Sequence, residues 1–223
     1  MGRLRFVPDD RAQVAFDVAG ETVAYKKGMP LITFVSRSLE PYRGIHTFLR
    51  SLVPLLNTNP EVQVAIVGAD DVSYGRERED GQSWKDHFVA EIRSQLTSAQ
   101  WQRVRFHGRV PVDQYRQLLQ CSMVHVYLTY PFVLSWSLLE AMSTGCAIVG
   151  SKTAPVEEVI TDGVTGRLVD FFEPENVAET VLELLEDPQS RKEMGANARG
   201  LVVERFDLEK VCLPQMVDLV TRQ

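Results

Sequence analysis

The sequence has few cysteines, no long apolar run and no excess of positive charge, and each shortage disfavours a class of protein. Its 223 residues include three cysteines and no Cys-x-x-Cys pair, so we expect neither a disulfide framework nor a zinc site. The net charge of −6 argues against a generally basic nucleic-acid surface. No apolar stretch approaches the roughly 18 residues of a membrane span, and the first residues lack the apolar core of a signal peptide. We therefore expect a cytoplasmic protein with one large domain, or one domain with appendages.

Several signatures of common active sites are missing as well. Neither Gly-x-Gly-x-x-Gly nor Gly-x4-Gly-Lys-Ser/Thr occurs, which disfavours dinucleotide-binding and P-loop proteins. Ser135 and Ser137 lack the flanking glycines of a nucleophile elbow. The four histidines are scattered, and His125 lies inside an apolar run, where we expect a hydrogen-bonded core residue. No cluster of side chains has the spacing of metal ligands.

What the sequence does contain is a regular alternation of strand-like apolar runs and helical periodicities. Residues 31–35 and 62–67 read as strands, and apolar residues between Ile45 and Leu56 recur at helical spacing. Further strands are predicted at 104–106, 123–128, 147–150 and 167–169, and further helices at 112–121, 135–144 and 154–161. Two more helices are separated at Asp187-Pro188, and a last helix begins at about Asp207 and is kinked at Pro214. Alternating strands and helices predict an α/β fold with a doubly wound, mostly parallel, Rossmann-like sheet.

The first 28 residues read differently from the rest. Two short β-like runs, 14–18 and 22–25, are joined by Ala19-Gly20-Glu21, which is typical of a hairpin. We therefore divide the chain into a lead-in over residues 1–28 and one α/β domain over residues 29–223.

Ligands of doubly wound sheets bind beyond the carboxyl ends of the strands, and the first polar segment there contains two arginines. Glu40 and Pro41 are start signals for the helix that carries Ile45, which would place Arg43 in its first turn. Arg37 follows the strand on the same rim. Two guanidinium groups near a helix N-terminus form an anion site. The alternative is a surface pair between Glu40 and one arginine.

Two further segments at strand ends carry carboxylates. Ser135 is an expected N-cap, and Glu140 on the following helix has no basic neighbour at helical spacing. Its partner is either a vicinal diol, whose hydroxyls donate to both oxygens, or a distant arginine or solvent. Glu157 and Glu158 lie in the first turn of a helix started by Pro155, which needs no functional explanation, although one of them could face a ligand.

Taken together, these motifs resemble the C-terminal, donor-binding domain of retaining glycosyltransferases of family 4, which have the GT-B fold. The resemblance covers residues 31–223. Two elements, Ser38-Leu-Glu40-Pro41-Tyr-Arg43-Gly44 and Ser73-Tyr74-Gly75, are similar to one bacterial branch of the family. The resemblance rests on Val35-Ser-Arg37, Arg43-Gly44, Val62-Gln-Val-Ala-Ile-Val-Gly68, Gly108-Arg109-Val110, Leu139-Glu140-Ala-Met-Ser-Thr-Gly145 and Glu158-Val-Ile-Thr-Asp-Gly163-Val-Thr-Gly166.

The resemblance implies roles for individual residues. Arg37 and Arg43 would neutralise the leaving nucleoside diphosphate, and Glu140 would bind the ribose. The remaining donor-site positions implied by the family pattern are Gly68, Arg109, Val110, Ser135 and Glu158.

The sequence departs from the family pattern in two ways. The first glutamate of the family's Glu-x7-Glu motif would fall at position 132, which is Phe132. The following Gly-Phe-Gly, whose amides face the phosphates, is Val133-Leu134-Ser135. The family's direct carboxylate contact with the donor sugar is therefore not expected here, and the alternatives are an altered choice of donor or a loss of activity.

The resemblance implies transfer of a sugar from a UDP-, GDP- or ADP-sugar to a glycan, lipid or other acceptor, with retention and without a metal ion or other cofactor. It also implies a missing N-terminal acceptor domain, so that this chain would be an incomplete and inactive fragment of an enzyme of polysaccharide biosynthesis. For the full-length protein, peripheral contact with the inner face of the membrane is a further expectation. The alternatives are a non-catalytic nucleotide-sugar-binding module and, less favoured, an epimerase or phosphorylase of the same fold.

Overall fold

The computed structural model describes residues 6–18 and 20–222, in which a six-stranded parallel sheet is covered by helices on both faces. The strands are β1 (Gln13–Val18), β2 (Glu21–Lys26), β3 (Leu31–Ser38), β4 (Gln63–Ala69), β5 (Val104–Phe106), β6 (Val124–Tyr127), β7 (Ala147–Ser151) and β8 (Arg167–Val169). The helices are α1 (Ile45–Thr58), α2 (Trp84–Arg93), α3 (Ser98–Trp101), α4 (Val112–Cys121), α5 (Trp136–Ser143), α6 (Ala154–Glu157), α7 (Pro174–Glu186), α8 (Pro188–Phe206) and α9 (Leu213–Thr221). The predicted α/β fold is confirmed.

The order of the strands places the ligand-binding crevice. The large sheet runs β5-β4-β3-β6-β7-β8, and every neighbouring pair is parallel. The chain therefore builds outward from β3 to one edge and then returns to β6 to build the other half. Connections leave in opposite directions at the carboxyl ends of β3 and β6, which is where doubly wound sheets bind ligands.

The two faces of the sheet are buried by different helices. Side chains of α1, α2 and α7, such as Phe48, Ile92 and Val181, pack on one face. Residues of α5 and α8, such as Met142 and Ala198, pack on the other. Burial on both faces explains why the strands read as almost continuous apolar runs.

The predicted hairpin forms from β1 and β2, which pair in antiparallel register; Ala19 and residues 1–5 of the predicted lead-in lie outside the described residues. The rings of Phe16 and His107 contact each other at a tilt, with centroids 4.2 Å apart, and the Tyr25 hydroxyl lies 2.9 Å from His107 Nε2. The Gln114 amide of α4 donates to the carbonyl of Ala15 at 3.0 Å. The hairpin is thus packed against the α/β domain.

The predicted start of the first long helix is wrong, and the correction moves a site residue. Pro41–Arg43 forms a separate 3-10 turn, and α1 begins only at Ile45. Between them Gly44 adopts φ +73°, where a Cβ would lie 2.4 Å from the Cβ of Leu128. This left-handed glycine breaks the helix, so Arg43 lies outside α1, and only 6% of its surface is exposed.

Two other helix predictions need adjustment. The helix predicted over 154–161 is a single turn, α6, which ends at Glu157. Pro214 lies in the first turn of α9, and a π-helical turn over Leu208–Cys212 precedes it. Since proline clashes with the carbonyl four residues before it, a wider turn there accommodates the ring.

Candidate functional site

A cavity of about 420 Å³ lies at the carboxyl ends of β3 and β4, beside the start of α5. This size falls within the range of small-molecule sites. Its lining includes most of the predicted donor-site residues and two aromatic residues: Arg37, Gly68, Arg109, Val110, Ser135, Glu140, Tyr115 and Trp136. The structure therefore brings together side chains that lie up to 103 positions apart in the sequence (37 to 140).

Glu140 has a partner that neither sequence interpretation anticipated. The hydroxyl of Tyr115, on α4, donates to Glu140 Oε2 at 2.7 Å. Burial raises the pKa of Glu140, and the bond from Tyr115 opposes that shift. Burial, followed by the charge of Glu140, raises the pKa of Tyr115, so the tyrosine keeps its proton and remains the donor. Within the described part of the chain, no arginine or lysine pairs with Glu140, and its Oε1 has no hydrogen-bond partner.

The two arginines in the lining differ in their availability. Arg37 is exposed, and its guanidinium forms no hydrogen bond or ion pair with any described residue. Arg109 pairs with Asp71 at 2.6 Å, with 71% of its own side chain exposed. Exposed pairs of this kind contribute little to stability. Arg37 is therefore the cation that a bound anion can reach without displacing a partner.

Ser135 caps α5 as predicted. Its Oγ accepts hydrogen bonds from the amide and the hydroxyl of Ser137 at 3.4 and 3.1 Å. The amide of Ser135 in turn donates to the Tyr127 hydroxyl at 2.8 Å. The positive end of the α5 dipole therefore faces the same cavity as Arg37.

Arg43 lies beside this cavity and outside its lining. Its Nη1 donates to Thr129 Oγ1 at 3.1 Å and to the carbonyl of Val133 at 3.0 Å. Its guanidinium carbon lies 5.1 Å from the centre of the Tyr74 ring and 5.6 Å from that of Phe132. The two predicted diphosphate-binding arginines thus differ, because Arg37 is open to solvent and Arg43 is held by the segment after β6. The role of each in binding phosphate stays a prediction.

Glu40 pairs with neither arginine in the described structure and is fully buried. Its carboxylate accepts hydrogen bonds from the amides of Ser73, Tyr74 and Gly75, at 3.3, 3.2 and 2.8 Å. The segment after β4 is polar, and this carboxylate anchors its first part. The anchor places Tyr74 against Arg43.

The remaining predicted residues are less centrally placed. Phe132 keeps 39% of its surface exposed and contacts the Tyr74 ring. Val133 contributes its carbonyl to Arg43, and Leu134 packs against the α5–α8 side of the core. Glu158 is exposed at the end of α6 and does not line the cavity. Its proposed donor-side role stays a prediction.

Sequence reasoning missed Tyr115, Tyr74 and Trp136. Tyr115 lies in a correctly predicted helix, yet nothing local shows that it meets a glutamate 25 residues later. Trp136 keeps 79% of its surface exposed at the cavity, which an apolar helical pattern cannot reveal. The signal that could have raised attention is the number of aromatic residues in polar strand-end segments.

No group of three or more His, Cys, Asp or Glu side chains able to hold a metal ion occurs in residues 6–18 and 20–222. His125 lies in the core as expected, and none of its surface is exposed. Its Nδ1 lies 2.8 Å from Thr33 Oγ1, whereas its buried Nε2 has no hydrogen-bond partner among the described residues. Burial lowers the pKa of His125 to about 3. It is therefore neutral at physiological pH.

Solved structures of other proteins share the α/β fold of this chain. The chain matches an Anabaena protein, HepE, solved in complex with UDP and glucose, with a TM-score of 0.71 and 24% identity over 86% of this chain and 48% of that one. It also matches the C-terminal domain of a glycosyl transferase group 1 protein, LpcC, from Francisella tularensis, with a TM-score of 0.68 and 17% identity over 80% of this chain and 87% of that one. These matches show the shared GT-B-type fold.

Two relatives by sequence are named as glycosyltransferases. An uncharacterized glycosyltransferase of Methanocaldococcus jannaschii is 27% identical over 80% of this chain and 42% of its own length. A phosphatidyl-myo-inositol mannosyltransferase of Mycolicibacterium smegmatis is 29% identical over 79% of this chain and 41% of its own. The chain spans less than half the length of these two relatives. Across the described residues, no helix is long and apolar enough to cross a membrane.

The sequence profile of the glycosyl transferases group 1 matches residues 22–201, which include the whole candidate site. Because this match spans well over half of the chain, the protein belongs to the glycosyl transferases group 1 family.

Proposed function

We propose that this chain is the donor-binding half of a retaining family 4 glycosyltransferase, which transfers a sugar from a nucleoside diphosphate sugar to an acceptor. The observation that carries the proposal is that Arg37, Glu140 and the start of α5 share one cavity. A nucleoside diphosphate presents two anionic groups and a vicinal diol, and this cavity offers a cation, a helix N-terminus and a carboxylate.

Glu140 suits the ribose because one of its oxygens is already engaged. Tyr115 binds Oε2 and fixes the carboxylate, which leaves Oε1 to accept a ribose hydroxyl. Leaving a carboxylate without a hydrogen-bond partner costs more free energy when the carboxylate is partly buried than when it is exposed. The diol therefore compensates for the burial of Glu140.

The chemical task of a donor-binding half is to stabilise the negative charge of the leaving group. As the bond from the sugar to the diphosphate breaks, negative charge grows on the leaving phosphate, and fixed cations and amides lower the free energy of that state. Arg37 can contact the phosphate directly. Arg43 adds positive potential from beneath Tyr74 and Phe132. With cations in these positions, the proposed reaction uses no metal ion.

Calorimetric titration with UDP, GDP and ADP tests the proposal. We expect at least one of them to bind, with the same affinity in EDTA and in Mg²⁺. We expect Arg37→Ala to weaken binding about tenfold or more, since it removes a charged hydrogen bond. Arg76→Ala removes a cation from an exposed position outside the cavity and serves as the control. No binding by the unmodified protein, or equal affinity with and without Arg37, would refute the phosphate site.

One observation favours a second candidate, a nucleotide-sugar-binding module without transferase activity. Phe132 stands where the family has a glutamate, and a phenyl ring cannot hydrogen-bond a sugar hydroxyl. For this chain alone we expect weak or no transfer in either case, because the acceptor domain is proposed to lie elsewhere. Transfer assays on a longer protein with both halves separate the two: nucleotide binding without sugar transfer would favour the module.

A further inference from the structure

A second cavity lies at the opposite end of the sheet from the nucleotide cavity. It has a volume of about 490 Å³, which falls within the range of small-molecule sites. Its lining includes Met123 directly before β6, Ala147 at the start of β7 and Gly28 shortly before β3. Because all strands of the large sheet are parallel, these amino ends lie away from the carboxyl ends that line the nucleotide cavity. No step of the proposed sugar transfer uses this second cavity.

The lining of this cavity is strongly positive, and we call it the basic cavity. It contains four cationic side chains and one carboxylate, which are Lys27, Arg191, Lys192, Arg199 and Asp10. The whole chain, by contrast, has a net charge of −6. A concave site lined by charges of one sign focuses the electric field and attracts ligands of the opposite sign. Positive charge is therefore concentrated in one concave place of an acidic protein.

One face of α8 supplies three of the four cations. Arg191, Lys192 and Arg199 line the basic cavity together with Gly195 and Ala196. Residues three and four positions apart lie on the same side of a helix, so these five residues form one continuous stripe. The two small residues lie between the cations along the helix. They leave open the space into which the longer side chains can extend.

None of the four cations forms an ion pair with a carboxylate within residues 6–18 and 20–222. Arg191 uses its Nη1 on two carbonyls in the last turn of α7. Arg199 uses its Nη1 on carbonyls that include that of Ser143, at the end of α5. The Nε and Nη2 groups of both arginines have no partner in the described part of the chain, and neither have the two ammonium groups. Capping of helices therefore occupies only part of the donors in this lining.

The positive charge of the basic cavity is partly shielded from solvent. Lys27, Arg191 and Arg199 are half-buried. Burial raises the pKa of Cys121 in the lining to about 11, and the charge of Lys27 opposes that shift. The ammonium of Lys27 therefore acts on the interior of the cavity. Burial also lowers the pKa of Arg191, and the charge of Asp187 offsets this only in part. A partly buried cation without an anionic partner costs free energy, which a bound anion would recover.

The rest of the lining favours a compact anion without a nucleobase or an acyl chain. Among the described residues, no aromatic side chain lines the basic cavity, so none is placed to stack on a base. None of the exposed large apolar side chains of this part of the chain lines it either, which disfavours a lipid or a protein surface as the occupant. Guanidinium and ammonium groups bind phosphate through charge-assisted hydrogen bonds.

We propose that the basic cavity binds a small phosphorylated metabolite, a compact phosphate ester with more than one negative charge. Lys27, Arg191, Lys192 and Arg199 hold its phosphate. The site is separate from the cavity for the nucleoside diphosphate, because the two lie at opposite ends of the strands. The inference does not depend on the proposed function, since it uses none of the residues of the nucleotide cavity.

Titration with fructose 1,6-bisphosphate and 3-phosphoglycerate tests the proposal. We expect at least one of them to bind saturably in calorimetry, and fructose, which has no phosphate, not to bind. In NMR spectra of the same titration, the amide resonances of Gly28 and Gly145 should shift, because both residues line the basic cavity. Those of Gly68 and Val110, in the lining of the nucleotide cavity, should stay in place.

The two lysines supply the variants, because they cap no carbonyl and their removal leaves the fold intact. Lys27→Ala/Lys192→Ala should weaken binding about tenfold or more, since two charged hydrogen bonds are lost. Lys27→Arg/Lys192→Arg keeps both charges and should largely retain binding. Lys26→Ala/Lys210→Ala removes the same charge from exposed positions outside the basic cavity and is the matched control.

The outcomes separate this inference from the proposed function. If UDP, GDP and ADP do not bind, the proposed function fails and the phosphate titration still decides the basic cavity. If neither phosphate ester binds saturably, or if the cavity variant and the control weaken binding equally, the basic cavity is not a phosphate site. Binding that Arg37→Ala abolishes and Lys27→Ala/Lys192→Ala retains would place the phosphate in the nucleotide cavity and overturn the proposal.

Discussion

Glu40 shows how one side chain organises the approach to the site. It is fully buried and accepts hydrogen bonds from three consecutive amides, those of Ser73, Tyr74 and Gly75. Hydrogen bonds from amides to a carboxylate are stronger than those between neutral groups. Gly75 is required there, because a Cβ would lie 2.9 Å from Glu40 Oε2. The carboxylate thus fixes the backbone of a polar segment whose side chains also contact Arg43, through Tyr74, and Ser38, through Ser73.

We predict that Glu40→Ala lowers the free energy of unfolding by about 2 kcal/mol, because the amides lose a charged acceptor inside the protein. Limited proteolysis should then cut near residues 73–80 faster than in the unmodified protein. Glu40→Gln keeps one acceptor oxygen and should have a smaller effect on both measurements. Glu79→Ala removes an exposed glutamate from the same segment and is the control. Equal protease resistance of Glu40→Ala and the control would contradict this role.

At the scale of single residues, the sequence indicated which side chains matter better than how they are arranged. Glu140 was singled out because its own helix offers no partner, and the partner does lie elsewhere, on Tyr115. Arg43 was expected in a helical turn, but Gly44 redirects it inward. Both outcomes depend on contacts between distant segments, which local spacing does not encode.

Among the elements, α8 depends on a close approach that only glycine allows. A Cβ at Gly195 would lie 2.2 Å from the carbonyl oxygen of Gly145, in the turn between α5 and β7. On the same helix, a Cβ at Gly200 would have no neighbour within 4 Å. The two glycines therefore form a matched pair with opposite expectations.

We predict that Gly195→Ala destabilises the protein by about 1–3 kcal/mol, because the helix must move away from the turn. Gly200→Ala should stabilise it by about 0.5–1 kcal/mol, since alanine loses less conformational entropy in a helix than glycine. Urea unfolding followed by circular dichroism measures both. If the two variants shift the midpoint in the same direction, the close packing of α8 on the turn does not limit stability.

Elements with a strong internal pattern were predicted well, and those governed by packing were not. Strands β3 and β4 and helix α1 carry uninterrupted apolar periodicity, and each was placed within a few residues. Helix α6 stops after one turn, although the polar and apolar residues after it continue to suit a helix. The amide of Thr161 instead binds the hydroxyl of Thr165 at 2.8 Å, in a turn. A local hydrogen bond of this kind competes with helix continuation.

At the scale of the whole molecule, one buried and two half-buried histidines link folding to pH. Burial, aided by the charge of Arg50, lowers the pKa of His46 to about 4. Burial and the charge of Arg105 lower that of His107 to about 4 as well, and burial alone lowers that of His125 to about 3. Each pKa lies near 6.5 in the unfolded chain, so between these values the unfolded chain binds protons that the folded protein does not.

We therefore predict that the free energy of unfolding falls as the pH drops below about 6.5 and keeps falling towards pH 4. Each histidine contributes a slope of up to about 1.4 kcal/mol per pH unit. The raised pKa of Glu140 acts in the opposite direction, on a single proton. Urea unfolding between pH 7.5 and 4.5 measures the slope, and His107→Gln should reduce it. Constant stability over this range, or an unchanged slope in the variant, would show that these histidines are accessible to protons.

The order of the strands has a consequence for how the cavity comes into being. Arg37 and Gly68 lie at the carboxyl ends of β3 and β4, and Arg109 follows β5, all in the half of the sheet that is synthesised first. Ser135 and Glu140 belong to the segment after β6. During synthesis on the ribosome, the first half can pair its strands while the cavity still lacks its helix terminus and its carboxylate. A nascent chain that has emerged only as far as Cys121 would hold the exposed arginine without the residues proposed to bind the ribose. The proposed nucleotide binding would then begin only after β6 has inserted beside β3, and it would be a late event in the maturation of this domain.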